Sequence, residues 1–316
     1  MFDELFHDRP PLPAPFASPS LWIQTSHGRV QLHEAGGGPT LLLLHGLSSV
    51  GASFEMHPLF EHLARTRRAV ALDWPGFGGS ERPERSYTAP AYESVLSTVL
   101  SELRRSEDET GPGVSGRGPD VVALSLATQY VAVLAAREPE RLGRLVLISP
   151  TGLGRFVRIP GITAKTAGVT LGLPGLGQSV FDGITSRKGI RRSLEKLFAD
   201  AARIPPEYER YAWASARQPG ARYAPLSWLA GRLEDPGAPE AFRSLGNPTL
   251  MIFGERARFS DPEAGTELAR RNHNVTVEVV PESGDLPQLE HPERTAAIVS
   301  EWLSTDPRPC EAPARR

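Results

Sequence analysis

The sequence predicts an α/β protein: a mostly parallel central sheet covered by helices on both faces, with a helical cap inserted after its first half. Short runs dominated by apolar residues, at 40–44, 69–72, 120–124 and 144–148, alternate with longer stretches of helical spacing. A strand without polar alternation is one buried on both faces, as parallel strands are. Each run also closes on a turn rich in glycine, proline or serine. Right-handed crossovers place such turns, here those at His45, Asp73, Ser125 and Ser149, along one edge of the sheet.

Taken in order, 21–25 and 29–34 read as a hairpin turned at His27-Gly28. Gly36-Gly37-Gly38-Pro39 ends it; because a strand follows and not a helix, these glycines are no phosphate cradle. The run 40–44 enters His45-Gly46-Leu47-Ser48-Ser49, and a helix over about 54–65 follows. The next strand closes on Asp73-Trp74-Pro75-Gly76-Phe77-Gly78-Gly79-Ser80, and a second helix spans about 90–104. A charged, glycine-rich connector, 105–119, reads as a solvated loop leading to the strand 120–124. The helix 127–137 stops at Glu138-Pro139, and the run 144–148 ends at Ser149-Pro150-Thr151-Gly152.

From 152 to 245 the alternation breaks. This span holds a glycine- and apolar-rich stretch, 159–180, the basic cluster Arg187-Lys188-Gly189-Ile190-Arg191-Arg192, and helical spacing near 193–203 and 206–216. Lying between two sheet strands and rich in apolar residues, it is expected to cap the sheet edge, with the basic cluster as a solvated helix face. The sheet pattern resumes at 248–253, crosses a helix at 262–271, and ends with a strand at 275–280 and a helix at about 292–303. The domain plan is thus a flexible Pro-rich arm at 1–20, a core made of 21–151 and 246–304, a cap at 152–245, and a disordered tail at 305–316.

Composition narrows the partners. Lys+Arg of 35 against Asp+Glu of 37 gives a net charge of −2, so nothing points to nucleic acid, and no segment has the apolar length a membrane span requires. The single cysteine, Cys310, excludes an internal disulfide and a cysteine-based metal site. Residues 1–19 carry Asp3, Glu4 and many prolines but no apolar signal region, which leads us to expect a cytoplasmic protein. Neither a metal-ligand cluster nor a cofactor motif stands out, and the partner expected is a small-molecule substrate or ligand.

The chemistry centres on Ala123-Leu124-Ser125-Leu126-Ala127. A strand that breaks straight into a helix needs a sharp bend, and the alanines two positions either side of Ser125 let the two elements pack closely. The bend lifts the hydroxyl out of the sheet, and the helix start offers the Leu126 N–H to an anion. A lone serine between leucines is more often a helix-start or core residue; what distinguishes this one is its company.

That company is the His45-Gly46 turn, the 73–80 loop, the elbow at Ser125, the Pro139-Glu140-Arg141-Leu142 step into the strand at 145–148, and Leu286-Pro287-Gln288-Leu289-Glu290. In this order and spacing the sequence resembles the α/β-hydrolase fold superfamily, from about Trp22 to Leu303. The resemblance implies Ser125 as nucleophile and the N–H groups of Leu47 and Leu126 as an oxyanion hole, shaped by His45 and Gly46. Ser48 and Thr151, on the same edge, are assigned to substrate binding.

The chain departs from the family at two places. Ala257 stands where the triad aspartate is expected, and Asp285 where the histidine is. His291, just beyond that position, is the nearest histidine in sequence, and His57, near the start of the helix after the oxyanion turn, the other one to weigh. Asp285 and His291 are therefore the candidate acid–base residues. An ordinary carboxylate is about 2.6 pH units less basic than imidazole, roughly 3.5 kcal/mol against taking the serine proton. Three readings stay open: a hydrolase of an apolar ester, lactone or amide with unusual acid and base groups; a catalytically impaired scaffold that binds a small apolar ligand or a partner; and a lyase or isomerase with Asp285 as base.

Overall fold

The computed structural model describes residues 10–110, 118–154 and 175–304. Eight strands form one sheet: β1 (Ser20–Thr25), β2 (Gly28–Ala35), β3 (Thr40–Leu44), β4 (Arg68–Leu72), β5 (Asp120–Leu124), β6 (Leu145–Ile148), β7 (Thr249–Gly254) and β8 (Val275–Val280). They lie in the order β1-β2-β4-β3-β5-β6-β7-β8. From β4 to β8 every neighbour is parallel, and the β1–β2 hairpin adds an antiparallel edge to β4.

This order positions the site. The chain builds outward from β3 to β4 on one side, then crosses to β5 on the other, so the winding reverses between β3 and β5. Loops leaving two strands that wind apart leave a crevice at their C-terminal ends. Leu44 pairs with Ala123 there, which sets the His45 turn beside the Ser125 turn.

Strand residues alternate between two cores, as the two-residue period demands. Leu42, Leu44, Val70, Leu72, Val121 and Ala123 face one apolar layer, which α2 (Ala89–Thr110) and α3 (Ala127–Arg137) close. Leu41, Leu43, Ala69, Ala71, Val122 and Leu124 face the other, where a short 3-10 turn (Ser53–Met56), α1 (His57–Leu63) and the C-terminal α11 (Pro292–Ser304) pack. The helix expected over 54–65 therefore starts as this tighter turn, and Pro58 opens the α-helix proper, where its missing N–H is no loss.

Between β6 and β7 come α4 (Leu176–Ile184), α5 (Arg187–Leu197), α6 (Pro206–Ser215), α7 (Tyr223–Leu229) and α8 (Ala238–Arg243). The stretch 155–174, which holds most of the glycine-rich segment, lies outside the described residues, as do 111–117 of the connector, the tail 305–316 and residues 1–9; the connector's first part, 105–110, continues α2 and is not a loop. The basic cluster starts α5 instead of preceding it. Ser186 caps that helix by accepting from Gly189 N at 3.0 Å, Ile190 is buried, and Arg191 bonds Glu195 and Glu209. The last helix of the span, α8, returns to the core: its Ala238, Ala241 and Phe242 belong to the layer around α3.

After β7 come α9 (Pro262–Arg271), β8, a single turn α10 (Pro287–Glu290) and α11. The arm is not wholly loose. Phe16 is buried, packing against Phe60 with ring centres 4.2 Å apart and against His33. No helix among the described residues is long and apolar enough to cross a membrane.

Candidate active site

The turn between β5 and α3 is strained. Ser125 has φ +54°, a left-handed conformation that costs a non-glycine residue about 1–2 kcal/mol. Its N–H donates to Ile148 O at 2.9 Å, so the ladder to β6 runs right up to the bend. Ala123 and Ala127 are fully buried, as close packing of the two elements requires. The Ser125 side chain is half-buried, and its hydroxyl has no hydrogen-bond partner among the described residues.

The turn after β3, at 45–49, lies against it. A β-carbon built on Gly46 would stand 3.4 Å from Ser125 Cβ and 3.2 Å from Glu55 Oε2. Among the described residues the N–H groups of Leu47 and Leu126 donate to nothing, although both residues are buried. A buried N–H without an acceptor is costly, and donors held ready for an incoming oxygen are one setting in which it persists.

His45 fixes the orientation of one of them. Its Nδ1–H donates to Gly46 O at 2.7 Å, while Nε2 accepts from Trp74 N at 3.1 Å. Gly46 O and Leu47 N share one peptide plane, so holding the carbonyl aims the N–H. Burial drives the His45 pKa down to about 4, against the pull of Asp73, and the ring is neutral. With both nitrogens engaged, His45 is a positioning group and not a base.

Asp285 is equally committed. Its carboxylate accepts from Arg258 N at 2.8 Å, Phe259 N at 3.2 Å, Ser260 N at 3.0 Å and the Ser260 hydroxyl at 2.9 Å. Burial raises its pKa, and these donors pull against that rise. Asp285 thus fastens the loop after β7, which holds Ala257. His291 lies at the end of α10, with Nδ1 3.3 Å from Arg203 Nη1 and Nε2 3.5 Å from Glu282 O. Among the described residues no hydrogen bond joins Asp285 or His291 to Ser125. His57 stacks between Phe16 and Phe54. Of the substrate-binding candidates, Ser48 Oγ accepts from Val50 N at 3.2 Å and Thr151 Oγ1 accepts from Gln129 Nε2 at 3.2 Å.

One residue escaped the sequence reading. Glu55 is 2% exposed, and its Oε2 accepts from Gly46 N at 2.8 Å while its Oε1 accepts from the Tyr208 hydroxyl of α6 at 2.6 Å. Burial pushes its pKa up to about 8, although both donors oppose the rise. The available signal was a lone acid between Phe54 and Met56, in a stretch the pattern otherwise buries.

A small cleft, with room for about one water molecule, lies where the cap meets the core, lined by Ser49, Val50 and Phe77 on one side and by Phe181, Ala212 and Ser215 on the other. It borders the oxyanion turn, and Ser125 is not part of its wall.

Residues 41–298 match the model of the alpha/beta hydrolase family. The chain belongs to that family. Its similarity to other alpha/beta hydrolases extends to a 2-hydroxymuconate semialdehyde hydrolase of Pseudomonas putida, 27% identical over 92% of this chain and 97% of the relative. A 2-(acetamidomethylene)succinate hydrolase of Mesorhizobium japonicum is 26% identical over 87% of this chain and 92% of its own. Among solved structures, a serine hydrolase involved in carbazole degradation superposes with a TM-score of 0.71 at 19% identity, covering 91% of this chain and 99% of that one.

Proposed function

We propose that this member of the hydrolase family cleaves a neutral, mostly apolar ester, lactone or amide by acyl transfer to Ser125, with Leu47 and Leu126 N–H groups stabilising the oxyanion. The observation that carries the proposal is the left-handed Ser125, its hydroxyl unbonded among the described residues, set against a turn that holds an unbonded N–H. A packed core serine does not need a strained backbone. The names of the relatives, two hydrolases and a pimeloyl-[acyl-carrier protein] methyl ester esterase, support hydrolysis as the reaction class.

The test is covalent labelling with a fluorophosphonate. The wild-type protein is expected to carry one adduct, on Ser125, and Ser125→Ala none. Equal labelling of the two proteins contradicts the assignment.

A second reading, binding without turnover, draws support from Asp285, whose carboxylate is occupied by the 258–260 loop. The two readings separate on a chromogenic ester. Turnover that disappears in Ser125→Ala favours the hydrolase, and binding of an apolar ligand without any Ser125-dependent turnover favours the scaffold. The same occupancy weighs against Asp285 as the base of a lyase or isomerase.

A further inference from the structure

The missing histidine leaves the Ser125 reading short of a proton acceptor, and the neighbourhood of Gly46 supplies one. Glycine at this position leaves empty the space a side chain would fill, and Glu55 Oε2 and Ser125 Cβ border that same space. Among the described residues no hydrogen bond joins the carboxyl group to the serine hydroxyl, and two groups that border one β-carbon's width stand close enough for a single water to bridge them. We propose that Glu55, held by Tyr208, is the proton acceptor for the Ser125 hydroxyl, filling the role that position 285 does not. The inference rests on Ser125 being the nucleophile.

The hydrogen bonds around Glu55 suit a group that gains and loses one proton per cycle. Tyr208 has one hydroxyl proton and two acceptors in reach, Glu55 Oε1 at 2.6 Å and Val50 O at 3.2 Å. When Glu55 carries its proton on Oε2, the phenol donates to Val50 O or to Oε1. When Glu55 ionises, the phenol proton turns to the carboxylate. In both states Gly46 N–H donates to Oε2. Each state is satisfied without moving a heavy atom, so little reorganisation opposes proton transfer. The groups facing Glu55 are Tyr208 from α6, the Gly46 N–H from the oxyanion turn and Gln288 from α10, whose Nε2 donates to the Glu55 backbone carbonyl at 3.3 Å. None of these is charged. Desolvation therefore dominates its titration, and a pKa of about 8 makes it a stronger base than an unperturbed imidazole.

In the first step the Ser125 Oγ–H proton passes to Glu55 Oε2 while the Oγ electron pair forms the bond to the acyl carbon. The carbonyl π pair moves onto oxygen, facing Leu47 and Leu126 N–H. Collapse breaks the bond to the leaving group, which takes the proton from Glu55. Water repeats the sequence on the acyl-serine, returning Ser125 and releasing the acid.

The experiment measures the rate of fluorophosphonate labelling at Ser125 from about pH 6 to about pH 9.5. The wild-type rate is expected to rise about tenfold per pH unit and to level off above an inflection near 8. Glu55→Gln keeps an acceptor for Gly46 N–H; it should label about 100-fold more slowly or worse and lose the inflection. A folded Glu55→Gln protein that labels at the wild-type rate with the wild-type inflection overturns the assignment of Glu55 alone. No labelling of Ser125 in any protein overturns the nucleophile reading with it. Should Glu55→Gln fail to fold, Tyr208→Phe decides. Removing the donor that favours the carboxylate should move the inflection to higher pH, and an unmoved inflection refutes the proposal.

Discussion

Two buried carboxyl groups at the residue scale carry opposite consequences for pH. Glu55 is raised by burial from 4.5 to about 8, so between these values the unfolded chain has lost a proton that the folded chain retains. Its contribution to stability is complete below 4.5 and is lost as pH rises toward 8, at up to about 1.4 kcal/mol per pH unit. Thermal melts should show the wild type losing stability from about pH 5 to about pH 8, with Glu55→Gln losing markedly less. Parallel melting curves would contradict the buried neutral acid. Asp73 behaves the other way. Burial alone would raise it, yet the His33 and Gly79 donors and the nearby His45 ring outweigh burial and hold it at about 2. Its contribution is present above 3.8 and fades as pH falls toward 2, so it adds to acid lability and leaves the alkaline limb to Glu55. A glutamate beside a phenylalanine gives no sign in sequence of bordering the same glycine as a serine 70 positions later, because the two are brought there only when β3 and β5 pair.

Loops at the element scale hold the strand ends in place, and each relies on a specific polar or backbone feature. The 73–80 loop folds over Asp73, and Gly78, at φ +50°, comes so close that an added β-carbon would stand 2.0 Å from the Asp73 carboxyl. Gly78→Ala should therefore destabilise the protein by about 2 kcal/mol or more, read as a lowered denaturant midpoint. Asp285 does the same service for the loop after β7. Asp285→Ala strips acceptors from the N–H groups of Arg258, Phe259 and Ser260, which should cost about 2–3 kcal/mol while fluorophosphonate labelling of Ser125 persists. Loss of labelling in a folded Asp285→Ala protein would return Asp285 to the chemistry. The elements themselves were legible: the buried runs at 40–44 and 120–124, and the helix at 262–271 opened by Asp261 and Pro262, carry their own start, period and stop. Asp285 stood out in the sequence as a candidate as well. Its hold on the 258–260 loop did not, since a carboxylate capping three backbone N–H groups leaves no pattern in the chain.

Cap and core form one molecule through a few buried polar ties and the shared apolar layer. Glu290, buried at the end of α10, accepts from Ala199 N and Asp200 N of the cap with one oxygen and from Gly284 N and the Ser283 hydroxyl with the other. Glu290→Ala should loosen this joint, raising amide exchange across residues 187–203 before the sheet is affected, at a cost of about 2–3 kcal/mol. Uniform exchange across cap and sheet would show the joint to be redundant. The edge on which the site lies could be anticipated from the alternation of strands and helices; the winding reversal between β3 and β5 could not, because strand order is not written in the sequence. The approach of α6 could not: Tyr208 reaches Glu55 across 153 residues of sequence. The central claim remains the pairing of a strained serine with two waiting N–H groups. Its most direct test is a crystal structure of the fluorophosphonate-treated protein. The account predicts phosphorus bonded to Ser125 Oγ, with the phosphonyl oxygen about 2.7–3.1 Å from both Leu47 N and Leu126 N; an adduct on another residue, or an oxygen turned away from both N–H groups, would contradict it.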